Sequence, residues 1–441
     1  MLRKAFFLFI VWRIALLLIT AFGLNTIPHI THPGWELNRI NPGVEYWIHW
    51  ANWDGGMYMT IAKEGYQIFH TVFFPLYPLL IKIVSLIGLE VFWAGFIISQ
   101  VCTVLLIYFF YKLLRLDFNQ QKSELIVILL LAFPTSFYLG AVYTESLFLL
   151  LAVSAIYFAR IKKWYISALL VGLSMVTRNV GFAVLAAVVL EYLFGNYRPQ
   201  MTHILRNRFA RIGAYLIAIN FIMYESLNLN ILATNIWGGV ISTVSGILTV
   251  IIISLAILLL IIYLYQRNKQ FSLIKKVSSL PFLFLILSVL PFLGYLLFQY
   301  IQFGDSFAFI NNQIGSNRKL TSPFLMIIDI LQTLFSSNIY VITFWNHGTF
   351  ERLFSLLLIT GTIYSFFKLR FSYAIYFLGV TLIPLSSGIV VDMTRYALVA
   401  FPLFILISNI NNRYLIIGWL FFSTCLLGIL SIMYINSYWV L

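Results

Sequence analysis

The chain has 441 residues, of which 61% are hydrophobic, 18% aromatic and only 10% charged; a soluble domain of average make-up is about 45–50% apolar and about 25% charged. Too few charges remain to cover a water-facing surface, so most of the surface faces lipid, which excludes a soluble enzyme, a disordered chain and a nucleic-acid-binding domain. The formal charge of +14 is what loops on the cytoplasmic side of a membrane supply, not a phosphate-contacting face.

A membrane helix needs about 20 mostly apolar residues. In chain order, runs that qualify or nearly do lie at 5–24, 91–113, 124–142, 146–160, 164–178, 180–195, 211–229, 241–264, 280–298, 350–367, 371–387, 395–408 and 414–435. This predicts an all-α polytopic membrane protein of about 13 transmembrane helices, forming a single integral membrane domain over 1–441. Two further apolar stretches are interrupted: 72–89 by Pro75, Pro78 and Lys82, and 324–345 by Asp329, Gln332, Ser336, Ser337 and Asn338. Both read as interfacial or re-entrant segments.

Charge sets the orientation. With Arg3 and Lys4 in the cytoplasm, nineteen of the 28 basic residues fall on the inner side, and ten of the 14 acidic residues fall on the outer side. Promoting 72–89 to a full span would invert every later loop and break this pattern. The two longest outer loops are then 25–90 and 299–349. The first stretch does not read as a cleaved signal peptide, because its apolar run is long and no clear small-residue site follows. The two cysteines, Cys102 and Cys425, lie inside apolar runs and give neither metal spacing nor a disulfide framework.

The unusual residues gather on the outer side. Residues 49–66 read H-W-A-N-W-D-G-G-M-Y-M-T-I-A-K-E-G-Y, and a short helix is expected after Gly56, ended by Gly65. Asp54 is either an N-cap for that helix or a base at the membrane surface. Glu145, beside Tyr143, Thr144 and Ser146, stands at the outer end of a helical hairpin, either in a capped turn or in a cavity. Arg178 falls where one short span meets the next; it either snorkels outward or clamps an anion with its planar fork. Arg395 opens a span in D-M-T-R-Y and either pairs with Asp392 along the helix end or meets a second anion. His49 and His347 are weaker candidates. There is no D-x-D, P-loop, G-x-S-x-G or H-E-x-x-H, so no metal or nucleotide apparatus and no cofactor is expected.

Four motifs, W-D-G-G-M-Y (53–58), F-F-P-L-Y-P (73–78), Y-T-E-S-L-F (143–148) and T-R-N-V-G (177–181), stand in an order and spacing that resembles the PIG-V type mannosyltransferases. These are the second mannosyltransferase of glycosylphosphatidylinositol assembly and its bacterial relatives. The resemblance covers about residues 47 to 185 and thins out beyond, at Q-F-G-D-S-F-A-F (302–309), Arg318 and R-Y-A-L-V-A-F-P (395–402). It implies a C-type (GT-C) membrane glycosyltransferase fold, with a polyprenyl-phosphate sugar as donor and a glycan or glycolipid as acceptor. On that resemblance the loop 25–90 carries the catalytic motif and Asp54 is the general base. Trp53 shapes the sugar site, Tyr143 and Glu145 line the same cavity, and Arg178 faces the donor phosphate. Asn179 and Arg395 stand with them as substrate-binding positions. The small loops fit a bacterial relative, which places the enzyme in the plasma membrane with its site extracytoplasmic.

The residues suit that chemistry. A lipid-phosphate donor loses a phosphate monoester, which arginines stabilise without a metal, and the acceptor hydroxyl needs a nearby base. Attack by one base from the opposite face implies inversion, an expectation from the family; Glu145 as a second acid would permit retention. The competing class is a transporter or flippase of lipid-linked sugars, which should carry ionisable groups near the bilayer midplane in two related halves. Here the charges sit mostly at one face and no convincing internal repeat is seen. Reporter fusions after residues 70, 310 and 390 should report outside, and those after 119, 163, 204 and 270 inside. A cytoplasmic signal after residue 70 would put Asp54 on the wrong face.

Overall fold

The computed structural model describes residues 2–30, 47–194, 279–312, 321–335, 348–438 and 440. The chain divides into two compact units, one made of 1–195 with 283–441 and the other of 196–282. The runs expected at 211–229 and 241–264, and His347, lie outside the described residues. Among the described residues all regular structure is helical. In chain order the helices are α1 (Leu2–Thr26), α2 (Asp54–Glu64), α3 (Leu76–Ser85), α4 (Val91–Leu114), α5 (Gln120–Leu131), α6 (Glu145–Arg160), α7 (Trp164–Met175), α8 (Gly181–Phe194), α9 (Leu280–Leu287), α10 (Leu290–Phe303), α11 (Ala308–Asn311), α12 (Pro323–Phe335), α13 (Thr349–Lys368), α14 (Phe371–Leu385), α15 (Met393–Val399), α16 (Pro402–Ser408) and α17 (Arg413–Ile435).

Five stretches, Arg3–Thr26, Val91–Leu114, Leu280–Phe303, Phe350–Lys368 and Arg413–Ile435, are long and apolar enough to cross a bilayer. The protein is therefore a polytopic integral membrane protein. The described part of the chain does not establish a count of thirteen spans. Run 124–142 leaves its helix at Leu131, run 395–408 splits into α15 and α16, and run 280–298 breaks between α9 and α10 inside a stretch still long enough to cross. A proline stands at each break: Pro134, Pro291 and Pro402. Proline lacks the N–H that the helix would use and its ring crowds the carbonyl four residues back, so an apolar run continues past it while the helix does not. The stretch 72–89 becomes the ten-residue α3, too short to span.

Helix α6 lies at the centre of the first unit and packs against α4, α7 and α8. Between Glu145 and Arg160 it carries no charge and it is buried around nearly its whole circumference, as a helix apolar on every face must be. Around it α14 packs on α8, α13 on α14 and α15, and α17 on α1.

At the Arg160 end of α6 sits a closed ionic cluster. Arg160 makes a two-pronged pair with Asp117, Nη1 to Oδ2 at 2.7 Å and Nη2 to Oδ1 at 3.0 Å. Arg370 donates to Glu191 Oε1 at 2.7 Å, Ser372 donates to Glu191 Oε2 at 2.8 Å, and the Tyr373 hydroxyl donates to Asp117 at 3.0 Å. Two cations meet two carboxylates and each carboxylate oxygen is engaged. That is how buried charge is made tolerable, and it ties the ends of α6, α8 and α14 together.

Helices α8 and α14 touch through Gly379, where an added Cβ would collide with Ala183 Cβ. Gly379→Leu should therefore force the pair apart and lower the melting temperature by several degrees, the overpacking cost being about 1–3 kcal/mol. Gly418, with no atom within 4 Å of its Cβ direction, is the control. Gly418→Leu should melt at or slightly above wild type; equal melting of the two variants would mean that this contact does not hold the bundle.

Candidate functional site

The opposite end of α6 is built on an irregular segment. Around Pro134 the chain runs from Ala132 to Thr144 as turns and a short 3-10 helix, fully buried. Non-helical backbone at this depth is tolerated only where its polar groups find partners within the protein, and small polar residues supply them. From α4, Thr103 donates to Leu139 O at 2.6 Å and Gln100 to Gly140 O at 2.8 Å. Ser136 bonds back to Leu131 O at 2.6 Å and Ser423 reaches Ala132 O at 2.8 Å. Val142 N donates to Trp50 O at 2.8 Å. Gly95 lets Val142 approach, since a Cβ there would meet Val142 Cγ1 at 2.7 Å.

This platform holds the 3-10 turn Ile48–Ala51 and the start of α2. Asn52 donates to Tyr434 O at 2.8 Å, and the Tyr143 hydroxyl donates to Asn52 O at 2.9 Å. The next residue, Trp53, has φ of 58°, rare for a non-glycine residue and costing about 1–3 kcal/mol. Asp54 follows as the first residue of α2, and Trp53 stands at the N-cap without a side-chain cap bond. Asp54 is thus not the helix cap that the sequence allowed. Its carboxylate instead accepts from Arg395 Nη1 at 2.9 Å.

Arg395 joins the site from α15. Its Nε and Nη2 both reach Glu145 Oε1, at 2.9 and 2.8 Å, and its Nη1 also approaches Asp392 at 3.3 Å. The guanidinium lies 5.1 and 4.9 Å from the ring centres of Tyr138 and Tyr143. Asp392, like Trp53, has a positive φ, 61°, so a strained residue precedes each of the two elements that bring Asp54 and Arg395 together. The start of α15 is held by Glu351 of α13, which accepts from Met393 N at 2.5 Å and from the Thr394 hydroxyl at 3.3 Å. Arg178, in the turn between α7 and α8, donates to Glu145 Oε1 at 2.6 Å and to Thr144 Oγ1 at 3.1 Å. It is buried and faces the interior, so it does not snorkel.

The structure therefore brings Asp54, Glu145, Arg178 and Arg395 into one cluster, with Tyr143 beneath it and half-buried Trp53 beside it. The F-F-P-L-Y-P motif supports it from behind: Leu76 N donates to Val176 O at 2.9 Å, and the Tyr77 hydroxyl bonds Ser99 at 2.7 Å. Asn179 sits in the same turn as Arg178, half-buried, its carbonyl accepting from Phe182 N; among the described residues no hydrogen bond joins its side chain to the carboxylates. His49 lies against His29, ring centres 5.0 Å apart, and burial and that neighbour push its pKa down to about 4. Asn52, Tyr138 and Glu351 were not singled out from sequence. Asn52 lay inside a quoted motif, but no local pattern marks Glu351 or Tyr138.

Two features separate this cluster from the closed one at the other end of α6. Glu145 is fully buried and, among the described residues, its Oε2 has no hydrogen-bond partner, which is costly for a carboxylate. Asp54 keeps 32% of its side chain exposed. Burial of the rest pushes its carboxyl above the usual range, Arg395 opposes this, and Asp392 and Glu145 add to it. The result is an accessible carboxylate with raised basicity beside two fixed cations.

A family model for dolichyl-phosphate-mannose-protein mannosyltransferases matches residues 70–224, a stretch that includes Tyr143, Glu145 and Arg178 but neither Asp54 nor Arg395. No curated protein matches the chain. Among solved structures, an Archaeoglobus fulgidus oligosaccharyltransferase tethered to an acceptor peptide is 13% identical with a TM-score of 0.39, covering 98% of this chain and 55% of that one. The Archaeoglobus fulgidus oligosaccharyltransferase AglB in complex with an inhibitory peptide and a dolichol-phosphate is 14% identical with a TM-score of 0.36, covering 89% and 52%. The chain thus spans about half the length of the solved structures it matches.

Glu145 neutralises two buried guanidiniums. Glu145→Gln should cost about 3–5 kcal/mol, the usual loss when one partner of a buried ion pair is removed, and appear as a large drop in melting temperature. A wild-type melt for that variant would show that Arg178 and Arg395 find other anions.

Proposed function

We propose that this protein is a membrane glycosyltransferase that moves a hexose, mannose by the family-model likeness, from a polyprenyl-phosphate sugar to a hydroxyl of a glycan or glycolipid acceptor. The site lies on the extracytoplasmic face of the membrane, and the loop 25–90 brings Asp54 to it. The observation that carries this reading is the open cluster: the part-exposed carboxylate of Asp54 on Arg395, with Arg178 and Arg395 sharing the buried Glu145.

The chemistry follows from the placement. Asp54 takes the proton of the acceptor hydroxyl as its oxygen bonds the anomeric carbon. The bond from that carbon to the phosphate oxygen breaks, and the phosphate monoester leaves against the guanidiniums, which oppose its charge in a water-poor setting. Glu145 cannot easily serve as a second acid at the sugar, since it is fully buried and its Oε1 is held by both arginines; Asp392, 19% exposed, pairs with the same Arg395 nitrogen as Asp54, and inversion is the outcome expected of a reaction with Asp54 alone as base. Tyr143 spends its hydroxyl on Asn52 O and its ring under Arg395, so it acts as scaffold for the sugar site.

Purified protein incubated with labelled mannosyl-phosphoryl polyprenol and an envelope extract should transfer label. Asp54→Asn should lower the rate by roughly 10²–10⁴ with little change in melting. The base works deprotonated, so wild-type rates should fall as pH drops through the raised pKa of Asp54, and the residual rate of Asp54→Asn should lack that acid limb. Full activity of Asp54→Asn would remove Asp54 as the base.

A further inference from the structure

Arg395 is anchored on one edge and shared on the other. Its Nε and Nη2 are committed to Glu145, which is fully buried. The tyrosine rings of 138 and 143 flank the guanidinium. Its Nη1 carries two carboxylates at once, Asp54 at 2.9 Å and Asp392 at 3.3 Å. The first edge fixes the cation in place; the second can change partner without moving it.

The partner most able to leave is Asp54. With 32% of its side chain exposed, against 19% for Asp392 and 0% for Glu145, it is the member of the cluster that water and ligands reach. It also shares one nitrogen with a like charge, which weakens its hold. The guanidinium offsets part of the basicity that burial gives Asp54, because the contact stabilises its charged form. A phosphate monoester prefers the same donor, since it brings more charge and more acceptor oxygens than a carboxylate.

We propose that Asp54 and the phosphate of a lipid-phosphate sugar exchange at Nη1 of Arg395, so that donor binding itself frees the base that the acceptor needs. The proposal rests on the glycosyltransferase reading and adds an order to it: donor first, acceptor activation second. The phosphate takes over the charge-assisted hydrogen bond, and Asp54, released from the cation beside it, turns its lone pairs to the acceptor hydroxyl. No bond is made or broken in the exchange. Asp392 stays on Nη1 as the second competitor and Glu145 keeps the guanidinium oriented.

The test is calorimetric titration of farnesyl monophosphate, a short polyprenyl monophosphate, into the detergent-solubilised full chain. Asp54→Asn removes the competing charge while keeping the side-chain shape, so it should bind the probe about five-fold more tightly than wild type, the upper range for a part-exposed ion pair, even as transfer collapses. Asp54→Glu keeps the charge and should bind within about two-fold of wild type. Wild-type binding with an unchanged or weaker Asp54→Asn affinity overturns the exchange and leaves the glycosyltransferase reading standing. No saturable binding by either protein overturns that reading, and the exchange with it.

Discussion

The pairing of Arg395 with Glu145 is the contact on which the site depends. The two residues are 250 positions apart in the chain, and each is a charge that could not be buried alone. Once paired they fix the head of α6 against α15, and other contacts at this end follow. Arg178 closes on the same carboxylate oxygen, which holds the turn between α7 and α8. Asp54 closes on the remaining guanidinium nitrogen, which draws the start of α2 inward and accounts for the strained backbone at Trp53. Strain of this kind persists only where its surroundings over-determine it. Here Asn52 is tied to Tyr434 and Tyr143 on one side of Trp53, and Asp54 to Arg395 on the other.

Helix α6 carries an ionic cluster at each end, and their difference separates architecture from chemistry. At the Arg160 end the hydrogen bonds close on themselves, with Asp117 and Glu191 each using both oxygens. Its four carboxylate oxygens are all engaged within the protein. At the Glu145 end three carboxylates share two arginines, one buried oxygen has no hydrogen-bond partner among the described residues, and Asp54 and Asp392 are part-exposed. An imbalance of that kind is costly in a purely structural network, and a site that must receive a polar substrate needs it. The apolar body of α6 keeps the two clusters apart by about 22 Å, at 1.5 Å of rise per residue.

The irregular segment 132–144 is what lets a helical protein present these groups at one level. A continuous helix through Pro134 would have closed its backbone hydrogen bonds within itself, and Leu139 O and Gly140 O would not need Thr103 and Gln100 of α4. Instead the proline ends α5, the chain turns beneath the Glu145 end of the bundle, and α4 supplies the donors. The same exchange of regular for irregular structure at a proline recurs at Pro402, which ends the short α15 directly after it has delivered Arg395.

Sequence by itself determined the class of molecule and most of the chemical inventory. Composition decided the solvent, because a chain with 10% charged residues has no other way to cover its surface. The same scarcity made each charge outside the basic loops conspicuous, so Asp54, Glu145, Arg178 and Arg395 stood out before any fold was known. The breaks in 124–142, 280–298 and 395–408 were harder to see, since hydropathy counts apolar side chains and is blind to the backbone bond that a proline removes. Only the tertiary structure decided how the charges pair. The local partner of Arg395, Asp392, was visible three residues away, but its principal partners, Glu145 and Asp54, lie 250 and 341 positions off. Glu351 reaches α15 across 42 residues. No periodicity carries information over such separations; the pairing is fixed by which helix ends the packing of α6 against α4 and α8 brings to one level, and by the cost of leaving any one of those charges there alone.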